Sequence, residues 1–340
     1  MNFFRDILNP FRVIKILLFF LIVVFIAFVW YIFSGVLPKE STVTFGVTFS
    51  QPFAEQMGID WREAYSAILD DLGVRKLRLI AYWPEIESQD NQFYFDDLDW
   101  QVREASKRGA EIILAVGRRL PRWPECYVPD WVKSLPEAKQ EEKVLRMLSM
   151  VVEHYKDENA IKVWQVENEP FLKSFGECPK LDEGFLDEEI ALVRRLDLVR
   201  RPVMLTTSGE LSDWTKPALK ADILGTSLYR MIWSDFLGHF RYPIPPGFYY
   251  KREKLTKWLT GIDKIVLIEL QAEPWGPKMI YETSIKEQGK SMDLDMFKEV
   301  IEYTKRTGFD EAYLWGVEWW YQRKVQRNDA FWGEAKKLFR

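Results

Sequence analysis

Trp164-Gln-Val-Glu-Asn-Glu-Pro170 decides how this 340-residue chain is read: an apolar run suited to a buried strand stops abruptly at Asn168-Glu169-Pro170 and sets a carboxyl group at a strand end. A second run, Lys264-Ile-Val-Leu-Ile-Glu269, does the same with another glutamate. Two carboxyls on separate strand ends suggest glycoside hydrolysis. That reaction needs an acid to protonate the leaving oxygen and a second carboxylate to meet the developing cation at the sugar carbon.

Outward from these strands a unit recurs, in which an amphipathic stretch ends in Gly, two or three residues follow, and a short apolar strand begins. Leu72-Gly73 precedes Lys76-Leu-Arg-Leu-Ile80, Arg108-Gly109 precedes Glu111-Ile-Ile-Leu-Ala-Val116, Thr260-Gly261 precedes residues 264–268, and Thr307-Gly308 precedes Glu311-Ala-Tyr-Leu-Trp315. Glycine suits a helix C-terminus because it takes the left-handed conformation at little cost. Helical spacing groups Leu98, Val102 and Ala105, then Val144, Leu148, Val151 and Tyr155, and later Leu294, Phe297, Ile301 and Thr304. With residues 43–49, 162–166, 203–207 and 222–228 there are eight strand candidates, and residues 330–339 form the last helix. Eight βα units predict an α/β fold, a (β/α)8 TIM barrel. An open doubly wound sheet competes, but its Gly-x-Gly-x-x-Gly fingerprint is absent. No linker rich in Pro, Gly or Ser divides residues 43–340, which read as one domain. Residues 233–250, with Pro243, Pro245, Pro246 and Gly247, read as a long loop over the face where barrel active sites lie.

A hydrophobic fraction of 47% excludes disorder, and a net charge of −4 leaves no basic surface for a phosphate backbone, so nucleic acid is not an expected partner. His154 and His239 are the only histidines, which argues against His-containing zinc sites and a Ser-His-Asp triad. Carboxylate chemistry is therefore expected, with neither metal nor cofactor. Residues 16–36 are almost unbroken apolar sequence, long enough at about 1.5 Å per residue to cross a hydrocarbon core of roughly 30 Å. Arg5, Arg12 and Lys15 precede this stretch and only Lys39 follows closely, so the positive-inside rule places the N-terminus in the cytoplasm. The competing cleaved signal would have a shorter apolar core and an A-x-A-like site, which is missing. The expectation is a single-pass anchor in the cell membrane, residues 1–37, with the barrel, residues 38–340, on the extracytoplasmic side.

In a parallel barrel the C-terminal strand ends converge on one pocket, which would bring Glu169 and Glu269 together. Regular alternation puts Ile265, Leu267 and Glu269 on one inward face. It groups Gln165, Glu167 and Glu169 and sends Asn168 the other way unless the strand end is bulged or unwinding. Arg78 is charged within an otherwise apolar strand and needs a partner, either an ionised active-site glutamate or an ordinary structural one. Of fifteen tryptophans, Trp83, Trp123, Trp315, Trp319 and Trp320 stand where strands end, and Trp315, then Trp83, are the candidate sugar platforms. Cys126 and Cys178 fall in loops after neighbouring strands. An oxidising compartment would permit a bridge, and two unrelated thiols are the other reading.

Taken together, these residues resemble the clan A retaining β-glycosidases, the cellulase-like and β-galactosidase-like barrels, over roughly residues 43–340. Asn168-Glu169-Pro170 looks like that clan's fourth-strand motif, which implies that Asn168 holds the sugar 2-hydroxyl and Glu169 is acid and base. By the same resemblance Glu269 is the seventh-strand nucleophile, Arg78 the second-strand arginine, Tyr229 the sixth-strand tyrosine near the nucleophile, and Trp315 the eighth-strand platform. Tyr82-Trp-Pro-Glu-Ile-Glu87 and Phe95-Asp-Asp-Leu-Asp99 look like the clan's second loop and helix. Two departures stand out. Glu273, four residues past Glu269, competes for the nucleophile's role, although a loop carboxyl more often binds substrate hydroxyls, and no histidine corresponds to the one many clan members place near the site. The implied activity is double-displacement hydrolysis of an oligo- or polysaccharide. A transglycosylase or a non-catalytic glycan-binding barrel are the alternatives.

Overall fold

The computed structural model describes residues 10–34, 40–173, 175–180 and 182–339. Ten strands occur in it: β1 Thr44–Thr48, β2 Lys76–Ile80, β3 Glu111–Val116, β4 Ile161–Val166, β5 Val203–Thr207, β6 Ile223–Leu228, β7 Met231–Ser234, β8 Gly238–Arg241, β9 Lys264–Gln271 and β10 Glu311–Trp315. Eight of them close into a parallel barrel in the order β1-β10-β9-β6-β5-β4-β3-β2, while β7 and β8 form a separate antiparallel hairpin. The expected (β/α)8 barrel is therefore the observed fold. Helices Asp96–Lys107, Glu137–Tyr155 and Leu294–Thr304 bury Val102, Leu148 and Phe297 against its outside, as their spacing requires. Gly73 and Gly261 close the turns before β2 and β9 in the left-handed conformation, φ 79° and 75°.

Inside the barrel, Ile113, Val163, Met204, Ile223, Val266, Ile268 and Tyr313 form a small apolar plug, and the larger core lies between strands and helices. Membership of these two clusters corrects the regular alternation expected on β9. Val266 and Ile268, not Ile265 and Leu267, point inward. The pairing with β6 explains how Glu269 still reaches the interior: Thr226 is opposite Leu267 and Ser227 opposite Glu269, so β9 carries one extra residue. Such a bulge re-aims the side chain that follows it.

Residues 233–250 also differ from the expected open loop. Met231-Ile-Trp-Ser234 pairs with Gly238-His-Phe-Arg241 across a short turn where Gly238 has φ 66°, and Pro246 opens the helix Pro246–Thr260. The prolines sit at positions that need no N–H, after the hairpin and at the helix start, so they punctuate order instead of preventing it. Gln271 at the end of β9 anchors the hairpin, accepting from the N–H groups of Arg230 (2.8 Å) and Met231 (2.9 Å) and donating to the Met231 carbonyl (2.7 Å).

The N-terminal helix Pro10–Phe33 contains a 19-residue stretch, Val13–Tyr31, of mean hydropathy 3.0, long and apolar enough to cross a membrane. Arg5, Lys39 and the boundary at residue 37 lie outside the described residues. The far end of this helix is clasped by the barrel: the Lys251 ammonium donates to the Ser34 carbonyl (2.8 Å), the Ser34 hydroxyl (2.6 Å) and the Tyr31 carbonyl, and Phe33 packs on Phe248 with ring centroids 5.4 Å apart.

Cys126 and Cys178 are joined in a disulfide, Cα–Cα 5.2 Å, which ties the loop after β3 to the loop after β4. The bridge closes a sequence separation of 52, for which the chain-entropy account gives about 4 kcal/mol of stabilisation. Reduction, or the double Cys→Ser variant, should accordingly lower the urea midpoint, and equal midpoints with and without reductant would show that the bridge contributes nothing.

Candidate active site

Arg78 is the best-defined element of the site. It rises from β2 into the barrel with no solvent exposure, and its guanidinium donates to three partners: Nε to Gln165 Oε1 (2.8 Å), Nη1 to Glu269 Oε1 (2.7 Å) and Nη2 to Asn168 Oδ1 (2.7 Å). A buried cation is costly unless paired and hydrogen-bonded, and here one fork joins β2, β4 and β9.

Asn168 reaches Arg78 because β4 ends at Val166 and the following backbone turns over. Glu167 and Glu169 take positive φ values, 56° and 43°, in a region that costs a non-glycine residue about 1–3 kcal/mol. The expected face shared by Gln165, Glu167 and Glu169 is therefore broken. Gln165 points to Arg78, while Glu167 turns outward and its two oxygens accept from the backbone N–H groups of Arg118 and Arg119, both at 2.6 Å. Gly117 leaves the space for that clamp, since a Cβ there would meet the Glu167 carboxylate. Asn168 turns in, its amide oxygen also accepting from Thr206 Oγ1 at 3.1 Å. Glu169 enters the cleft with its N–H donated to Thr206 Oγ1 at 2.7 Å.

Glu169, Tyr229, Glu269, Glu273 and Trp315 all line one cleft of about 840 Å³ at the C-terminal ends of the strands. Arg78 and Asn168 are buried next to it, Arg78 bonding both Glu269 and Asn168. Trp83 is a correction: it is fully buried away from the cleft, donates its indole N–H to Glu87 at 2.8 Å and packs edge-on against Trp131. The short helix Trp83–Ile86 turns it back under the barrel wall, so it is a core residue and not a platform. Trp319 and Trp320 are likewise buried, bonded to Gln288 and the Ala272 carbonyl. Trp315 is 8% exposed, with the Arg122 guanidinium 4.2 Å from its ring centroid.

The two glutamates stand in opposed surroundings. Glu269 has a cation, Arg78, as its direct partner, and the Tyr229 hydroxyl donates to its Oε2 at 3.4 Å. Among the described residues Glu169 bonds to no cation, and its carboxyl is reached only by the Ser227 hydroxyl at 3.5 Å. Burial, then the neighbouring carboxylates Glu269 and Glu125, push Glu169 well above the usual carboxyl range, with Arg119 opposing them. Glu273 forms a buried ion pair with Arg122, which also donates to Glu318 at 2.9 Å. This pairing leaves Glu273 as a wall residue of the cleft, on the loop after β9, while Glu269 occupies the strand.

Three residues escaped sequence reasoning. Glu125 lines the cleft, with its Oε2 accepting from Arg119 Nε (2.9 Å) and Nη2 (2.7 Å), and burial raises it to about 7 against the pull of that guanidinium. Arg122, in the same loop, bridges Glu273 and Glu318 and lies against Trp315. Both sit in irregular backbone, where periodicity carries no signal. Glu210 lines the cleft three residues after β5, and the strand-end criterion that found Glu169 would have reached it.

No family model matches the sequence, and no match exists among curated proteins. Among solved structures the chain is similar to a β-galactosidase from Rahnella sp. R3, at TM-score 0.56 and 15% identity over 90% of this chain and 57% of that one. A GH5_18 protein from Bifidobacterium longum subsp. longum matches at TM-score 0.57 and 13% identity, covering 81% of this chain and 70% of that one. An exo-β-1,4-mannosidase from Opitutaceae bacterium strain TAV5 matches at 0.51 and 13%, covering 83% and 54%. The chain spans about half to seven-tenths of these proteins, and the likeness establishes a shared barrel architecture.

A carboxyl whose folded pKa is raised keeps its proton after the unfolded chain has lost its own near pH ~4.3, so stability falls as pH rises above that value. Glu169→Gln should therefore melt above wild type at pH 8, by about 2–4 °C per kcal/mol relieved, with the gap closing at pH 4. Equal gaps at both pH values in scanning calorimetry would remove the electrostatic cause.

Proposed function

We propose that the protein is a membrane-tethered retaining glycoside hydrolase acting on β-linked glycosides. The observation that carries this reading is the asymmetry of the two carboxyls on one cleft: Glu269 paired with Arg78, and Glu169 buried without a bonded cation among the described residues and pushed by that burial well above the usual carboxyl range. Those are the opposed surroundings that a nucleophile and a general acid require. Glu269 attacks the anomeric carbon while Glu169 protonates the departing oxygen. Glu169 then removes a proton from the water that releases the covalent sugar.

Asn168 presents its amide to the sugar 2-hydroxyl. Its oxygen is already taken by Arg78 and Thr206, which leaves the NH2 group, without a hydrogen bond among the described residues, for substrate. Trp315 offers an indole face to the ring and Glu273 accepts from hydroxyls. The β-galactosidase and β-mannosidase identities of structural neighbours, one of the GH5_18 proteins being bound to Manβ1-4GlcNAc, favour a β-linked hexopyranoside. Residues 1–37 serve as cytoplasmic tip and anchor, residues 38–340 as the catalytic barrel outside the cell membrane, and the disulfide suits that oxidising side.

Incubating the protein with a panel of aryl β-glycosides tests the activity, and NMR of the first-formed sugar should show the β-anomer. Glu269→Ala should lose at least about a thousandfold in turnover, and azide should restore it with inverted product. Turnover within tenfold of wild type in that variant would reject the assignment.

A further inference from the structure

Glu210 has no part in a two-carboxylate mechanism, yet it lines the cleft in Thr207-Ser-Gly-Glu210. Its Oε1 accepts two hydrogen bonds, from the Tyr229 backbone N–H at 2.9 Å and from the Tyr249 hydroxyl at 2.6 Å. The Tyr229 it holds is the residue whose hydroxyl donates to Glu269 at 3.4 Å. The loop itself is pinned, because Arg252 donates to the carbonyls of Gly209 (2.8 Å) and Ser212. The Gly209 N–H donates to Ser227 Oγ at 3.0 Å, and that hydroxyl reaches Glu169 at 3.5 Å. Glu210 and its loop thus touch each of the two central carboxyls through a single intermediary.

We propose that Glu210 is a positioning residue of this site, fixing Tyr229 beside Glu269 and setting a second carboxyl in the cleft that Glu169 lines. The proposal rests on the hydrolase reading above. The charged groups facing Glu169 are Glu269, Glu125, Arg119 and Glu210, and those facing Glu210 are Tyr249, Tyr229 and Arg252, with Tyr242 and Tyr303 beyond them. Glu269 and Glu125 act more strongly on Glu169 than Glu210 does, and each has a guanidinium bonded to it, Arg78 and Arg119. Among the described residues Glu210 accepts only from an amide and a phenol, while Arg252 donates to carbonyls. Burial raises Glu210 itself to about 7, so its charge develops across neutral pH, and a like charge disfavours ionisation of Glu169.

Glu210→Gln keeps an oxygen that can accept both hydrogen bonds but removes the charge. The basic limb of the kcat/KM profile should move to lower pH by about half a unit or more, and the 13C titration of the Glu169 carboxyl should move with it. Glu210→Ala, which frees Tyr229, should lower kcat by about tenfold or more while KM stays within about threefold. Tyr249→Phe removes one of the two bonds and should fall between. An unmoved Glu169 titration in Glu210→Gln overturns the proposal whether or not turnover is found, as does a kcat within twofold of wild type in a folded Glu210→Ala. Absence of turnover in the wild type, by contrast, defeats the hydrolase reading, and the titration still decides the electrostatic claim.

Discussion

A guanidinium sealed inside a closed barrel is the constraint on which the rest of the structure depends. Arg78 can occupy that position only if its donors are met, and the acceptors that meet them are the side chains of Gln165, Asn168 and Glu269, carried on or just beyond two other strands. Breaking a buried pair by removing one partner costs about 3–5 kcal/mol, because the other charge is left stranded. The same fork therefore fixes the register of β2 against β4 and β9 and fixes the directions of two site residues. The unwound end of β4 and the extra residue in β9 are local departures from regular strand geometry that bring Asn168 and Glu269 within its reach.

Around that centre the cleft gathers carboxyls faster than cations. Glu125, Glu169, Glu210, Glu273 and Glu318 are all pushed upward by burial, and only Arg119 and Arg122 bond directly to members of this group. Burial works against the charged form of each of these groups, so the site opposes the stability of the fold that carries it. This is the usual tension between a strained, charged pocket and a comfortable core. The disulfide Cys126–Cys178 and the Arg119 bonds to the Leu172 and Phe175 carbonyls hold together the loops where the crowding is worst.

Much of this was legible in sequence. Strands β2, β3, β5 and β10 have the bounds that their apolar runs indicate, with a preceding glycine at β2, β3 and β10, because a buried parallel strand is a continuous hydrophobic run and needs no finer signal. Glu169 and Glu269 were legible for the complementary reason: a charge ending such a run has no place in a core. Alternation failed where the backbone stopped being regular, at Glu167 to Glu169 and around Ile268, and those irregularities make the site. Trp83 was misread because a strand-end position does not say which way the following turn carries a large ring. Glu125 and Arg122 depend on a loop path that only the tertiary structure defines, and the hairpin β7–β8 was masked by prolines that lie just beyond it.

Under the proposed membrane anchoring, the clasp between Lys251 and the end of the N-terminal helix gives the barrel more than a leash. A globular domain on a slack tether samples every attitude above the surface to which it is attached. Here an ammonium caps the last carbonyls of the helix and one phenyl ring seats on another, so helix and barrel lean as one body. In a bilayer, an apolar helix answers a change in lipid thickness by altering its slant. That slant would be handed on to the cleft, and the composition of the lipid would steer the direction in which the opening looks.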